Sequence, residues 1–114
     1  MSKRELKLYL TDIVDSIKKI ERYVRKLSFS KLKKDDKTID AVVRNIIIIG
    51  EAVNNIPDKI KTVNPDIAWR QAAGMRNKVT HEYFGIDEET LWQTIKEDLP
   101  VLKKQIIKLL KETL

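Results

Sequence analysis

The chain has 114 residues, enough to bury one core and build one domain but not two. Apolar residues make up 42% and charged residues 35%, a folded globular mix, and the absence of cysteine excludes disulfides, thiolate metal sites and cysteine nucleophiles. A net charge of +6 with one histidine leaves little for a zinc site but suits an anionic partner such as RNA, although lysines that only solvate helix faces give the same balance.

Met-Ser-Lys-Arg-Glu-Leu-Lys at the start has no apolar h-region, and the longest apolar run, Ile46 to Ile49, is far too short to span a bilayer. The expected location is therefore the cytoplasm, with no membrane partner. Ser2 and Glu5 form a capping box, after which Leu6, Leu10, Ile13, Ile17, Ile20, Val24 and Leu27 recur at helical spacing. Ser28 to Lys37 is polar and lysine-rich and reads as a turn. A second helix is expected from Asp36 to Asn55, stopped by Pro57. Its stripe is Ile39, Val42, Val43, Ile46, Ile49 and Val53, and Ile47 and Ile48 add apolar surface on its other sides. Such a helix fits a subunit interface or the centre of a compact monomer.

Pro57 to Val63 suits a short helical turn. Asn64-Pro65 then reads as the cap and first residue of a helix running to Phe84, terminated by Gly85. Asp87 caps a last helix carrying Leu91, Trp92, Ile95, Leu99, Leu102, Ile106, Leu109 and Leu110, and Pro100 should kink or split it. With no repeats, linkers or period-two segments, the expectation is one all-α domain over residues 1–114, an up-down bundle of four to five helices.

The polar residues of the Pro65–Phe84 segment carry the functional signal. At about 100° per residue, Ala68, Ala72, Met75 and Val79 form a core stripe. Arg70, Gly74, Asn77 and His81 fall on a second stripe, and Trp69, Ala73, Arg76, Thr80 and Tyr83 on a third. Asn77 one turn before His81 could orient the imidazole, Gly74 would leave a notch beside them, and Arg76 could reach an anion held near His81. An arginine that clamps phosphate beside a histidine titrating near neutrality suits phosphodiester chemistry. A histidine at a helix C-terminus is also a common dipole-stabilised surface group, and spacing does not separate the two readings.

Arg76-Asn77-Lys78-Val79-Thr80-His81-Glu82-Tyr83 resembles the R-x4-H-x-Y pattern of the HepT-like HEPN family. Trp69-Arg70, Gly74-Met75, Phe84, Arg44, Ile49-Gly50-Glu51-Ala52, Leu91-Trp92 and Asp98-Leu99-Pro100 extend the likeness over nearly the whole chain. Lys78-Val79-Thr80 departs from the more apolar triplet common there, without touching the motif positions. The resemblance implies a HEPN bundle that forms a homodimer around the motif. It implies a metal-independent endoribonuclease, needing no cofactor, that is the toxin of a type VII toxin–antitoxin pair. Its partner would be an MntA-like nucleotidyltransferase antitoxin that silences it by transferring AMP to Tyr83. Arg76, His81 and Asn77 would then be catalytic, with Glu51, Arg44, Arg70 and Thr80 in support. A non-catalytic HEPN subunit that binds a nucleotide or a nucleotidyltransferase is the alternative.

Overall fold

The structure, a computed structural model, describes residues 1–81 and 85–113, with His81 described by its backbone alone. Four longer helices build the bundle: α1 (Lys3–Val24), α3 (Asp36–Asn55), α5 (Trp69–Val79) and α7 (Leu99–Glu112). Shorter helices α2 (Phe29–Lys33), α4 (Asp58–Thr62) and α6 (Glu88–Gln93) fill the connections, and a π-helical turn at Thr94–Asp98 leads into α7. Helix α3 lies between α1 and α5, and α1 also packs on α7. Leu10, Ile13, Ile17 and Ile20 of α1 meet Val42, Ile46 and Ile49 of α3 and Leu99 and Ile106 of α7 in one continuous core. This is the all-α bundle expected.

Ser2 and Asp87 cap where the sequence places them, and Asp35 adds a third cap. Ser2 accepts from the Glu5 amide at 3.1 Å, Asp35 from Thr38 at 3.0 Å and Asp87 from Thr90 at 3.1 Å. Each satisfies an amide that the first helical turn leaves without a partner.

Three segments differ from expectation. Ser28 to Lys37 is not a plain turn: Ser28 accepts from the Lys31 amide at 3.2 Å and starts α2, which buries Leu32. Asn64 does not cap α5. Its Nδ2 donates to the Ile60 carbonyl at 2.8 Å, closing α4, and its own carbonyl accepts the Trp69 indole Nε1 at 3.0 Å. The chain therefore winds irregularly until Trp69, and Trp69, rather than the exposed Ala68, joins Ala72, Met75 and Val79 in the core.

The largest difference is at the motif. The helix ends at Val79, and Thr80–His81 pairs antiparallel with Gly85–Ile86, as strands β1 and β2. The Asp87 amide donates to the Val79 carbonyl at 2.7 Å, taking the acceptor that a continuing helix would give to the amide four residues on. Thr80 Oγ1 donates back to the Arg76 carbonyl at 2.8 Å. The β-branched Val79-Thr80 pair favours this exit. Gly85 sits at φ 78°, so its role is the left-handed position of the hairpin rather than the end of the helix. The last helix is split just before Pro100, as expected, into α6 and α7. Pro100 occupies the first turn of α7, where its missing amide costs nothing, and the irregularity lies one turn earlier in the π-helical turn.

Candidate active site

Between α3 and α5 lies an open cleft of about 460 Å³, lined by Ile46, Ile47, Gly50, Glu51, Asn54, Ala73, Arg76 and Asn77. Its floor is set by Gly50, which is buried and lets the Ala73 carbonyl come close. Arg76 and Asn77, adjacent in sequence on the last turn of α5, are both exposed and line the cleft with donor-bearing side chains. Glu51, on the facing helix, adds a carboxylate to the same cleft.

Not every expected residue is gathered here. Arg44 and Arg70 are exposed and line neither this cleft nor the second groove on α5. Thr80 is half-buried with its hydroxyl directed to the Arg76 carbonyl, so it fixes the end of the motif helix. Gly74 does not share the cleft with Asn77. It lies on the other side of α5, in a groove of about 380 Å³ against Val101, Leu102 and Gln105 of α7. His81 is not one helical turn from Asn77, because the chain has already turned into β1, so the orienting contact expected between them is not helical. Tyr83 lies outside the described residues.

Asn54 belongs to the cleft and was not singled out from sequence, and Ile47, read there only as added apolar surface, lines it too. The signal was present: positions 47, 50, 51 and 54 recur at three, four and seven residues, one face of α3. It was hidden because Ile47 reads as generic apolar surface.

A guanidinium and an amide from one helix end and a carboxylate from the facing helix line this cleft, and His81 follows four residues after Asn77, in β1. The profile of the family described as Ribonuclease HepT-like matches residues 13–109. The chain belongs to that family. Relatives of this HepT-like chain agree over its length. A protein of Thermococcus cleftensis named "Probable ribonuclease HepT" is 48% identical over 96% of this chain and 99% of its own. A provisionally named RNase of Methanocaldococcus jannaschii is 37% identical over 98% of this chain and 93% of its own. Another, from Caldanaerobacter subterraneus, is 36% identical over 91% and 93%. No solved structure matches.

Proposed function

We propose that this chain is an endoribonuclease that cleaves RNA through its 2′-hydroxyl, with Arg76, His81 and Asn77 as its working groups. The observation that carries the reading is the placement of Arg76 and Asn77 side by side on the rim of the α3–α5 cleft, with His81 following at the start of the hairpin.

Attack of the 2′-oxygen on phosphorus needs a base for its proton, and departure of the 5′-oxygen needs an acid. One imidazole cannot stand in both places in one turnover, and the chain has one histidine. The scheme is therefore a homodimer with its two-fold axis near the motif, each protomer supplying a His81. The half-buried Ile47 gives the cleft an apolar wall on which a second copy could close. Arg76 from each protomer offsets the charge that develops on the non-bridging oxygens, its planar fork matching phosphate. Asn77, beside Arg76, hydrogen-bonds the bound backbone. Products are a 2′,3′-cyclic phosphate and a 5′-hydroxyl, and DNA is not cut.

The same reading includes the biological setting. The chain acts as a toxin neutralised by an MntA-like nucleotidyltransferase that adenylylates Tyr83, placing a bulky anion where substrate phosphate would bind. End-group analysis of RNA treated with purified protein tests the chemistry. Cyclic phosphate ends are expected from the wild type and none from His81→Ala. Cleavage by His81→Ala at the wild-type rate removes the assignment.

A further inference from the structure

At the surface, two aromatic residues and two lysines from separate segments of the chain meet. Phe29 of α2 and Trp92 of α6 have ring centroids 5.9 Å apart at an interplanar angle of 40°. Lys33 Nζ stands 5.3 Å from the Phe29 centroid, and Lys96 Nζ stands 4.6 Å from that of Trp92. Each lysine follows its aromatic by four residues, so each pair is one helical turn. Both rings are half-buried and both lysines exposed, and neither lysine has a carboxylate partner among the described residues.

Two further observations give this cluster a direction. Helix α5 runs antiparallel to α3, with Ala73 at Gly50 and the cleft then joining Arg76 and Asn77 to Ile46 and Ile47. The motif end of α5 therefore points toward the N-terminal half of α3, the end that α2 precedes. From Glu88, two residues after β2, to Trp92 is about 6 Å along α6 at a helix's rise per residue. The α2 side is rich in basic residues, with Arg25, Lys26, Lys31, Lys34 and Lys37 all exposed, whereas carboxylates (Glu89, Glu97 and Asp98) are exposed on the Trp92 side.

We propose that Phe29, Lys33, Trp92 and Lys96 form a second contact for single-stranded RNA, holding the strand on one side of the scissile bond. Resting on the nuclease reading, the proposal assigns a stacking platform to the substrate that reading requires. A base takes the face of Trp92 now covered by the Lys96 ammonium, and the displaced ammonium moves to a phosphate, with Lys33 on the next. Aromatic faces accept any base, so the platform adds affinity without demanding sequence. An exposed ammonium over a ring is held weakly enough for this exchange.

A short, unstructured 2′-O-methyl oligoribonucleotide keeps phosphates and bases but lacks the attacking hydroxyl, so binding is read apart from cleavage. Trp69 is buried and hydrogen-bonded to Asn64, which leaves Trp92 as the fluorescent reporter. The oligonucleotide should quench wild-type emission and leave Trp92→Phe unchanged. Lys33→Gln with Lys96→Gln should weaken binding about tenfold at low salt and lower the salt slope by roughly 1.4, the share of two phosphate contacts on a single strand. Circular dichroism checks that the double variant is folded. Undiminished affinity and slope in that variant, or quenching that persists in Trp92→Phe, overturns the platform. If the wild type still cuts ordinary RNA in that case, the nuclease reading survives alone. Binding at the platform with no cleavage of ordinary RNA leaves the platform standing and removes the nuclease, and absence of both binding and cleavage removes both.

Discussion

A β-carbon on Gly50 would stand 3.2 Å from the carbonyl oxygen of Ala73, so the closest approach of α3 and α5 depends on that hydrogen. The contact is backbone, which cannot swing aside, and it forms the floor of the cleft that holds Arg76. Gly50→Leu should force the helices apart and cost about 1–3 kcal/mol, as overpacking of a close-packed interior does. RNA cleavage should fall as well, because the cleft walls separate. Gly50→Ala sets a gain in helix propensity of up to about 1 kcal/mol against a shift of a few tenths of an ångström, and its net effect should be smaller than that of leucine. Denaturant midpoints for the two variants check the ordering. Equal stability of Gly50→Leu and wild type would show that the approach is not constraining.

Arg76 is exposed and forms no ion pair with a described residue, so its role is directed outward. Arg76→Lys keeps the charge and loses the planar fork. Its stability should stay within about 0.5 kcal/mol of wild type, as for most surface changes. Its cleavage rate should fall by roughly 10²-fold, the cost of losing one well-placed donor to a transition state. Initial rates together with thermal midpoints separate the two effects. A lysine variant that cuts at full rate would reduce Arg76 to a point charge.

The parts of this fold legible in the sequence are those set by local chemistry. Ser2 and Asp87 cap helices because their side chains reach amides three residues away, and the stripes of α1, α3 and α7 follow the helical period. What was not legible depends on residues far apart. The end of α5 at Val79 is fixed by the Asp87 amide, and Asn64 is diverted to α4 while Trp69 folds back onto its carbonyl. Helical spacing carried beyond Val79 therefore placed His81 on the wrong element, and Arg76 and Asn77, expected on adjacent stripes, line one cleft together. Glu51 was visible as a polar residue on α3; that it shares a cleft with Arg76 required knowing which face of α3 meets α5.

Thr94 offers a test of the π-helical turn. It is fully buried, and its Oγ1 has no hydrogen-bond partner among the described residues. An unsatisfied buried hydroxyl is destabilising, and valine has nearly the same shape without it. Thr94→Val should therefore raise stability, by about 0.5–2 kcal/mol. The expected sign is opposite to that of most buried substitutions. A destabilised Thr94→Val would mean that the hydroxyl finds a partner in solution, such as water.

Asp35 links α3 to pH. The hydroxyl of Thr38, at 2.6 Å, and then the Thr38 amide hold its carboxyl below the usual 3.8, with Lys37 adding to the effect. A carboxyl whose folded value is depressed contributes stability above its unfolded value, and that contribution is lost as pH falls through the folded one. Asp35→Ala should lower the denaturation midpoint at neutral pH, with the gap to wild type closing below about pH 4. Asp35→Asn keeps an acceptor for the amide and should fall between the two, with no such pH dependence. A gap that stays constant down to pH 2 would show that the cap acts without its charge.

Control of the nuclease is tested at Tyr83, which follows His81 by two residues and lies outside the described residues. A tyrosine carrying AMP presents a phosphodiester and a purine. On the proposed reading, in which Arg76 holds RNA phosphate, that group would compete with substrate for the same cation. Co-expression with an MntA-like nucleotidyltransferase should silence the wild type and add whole AMP units to its intact mass, mapping to Tyr83. Tyr83→Phe should remain toxic beside the same partner and gain no mass, while cutting RNA in the partner's absence at a rate close to wild type. If the partner still neutralises Tyr83→Phe, silencing works by binding rather than by modification, because the acceptor hydroxyl is then absent.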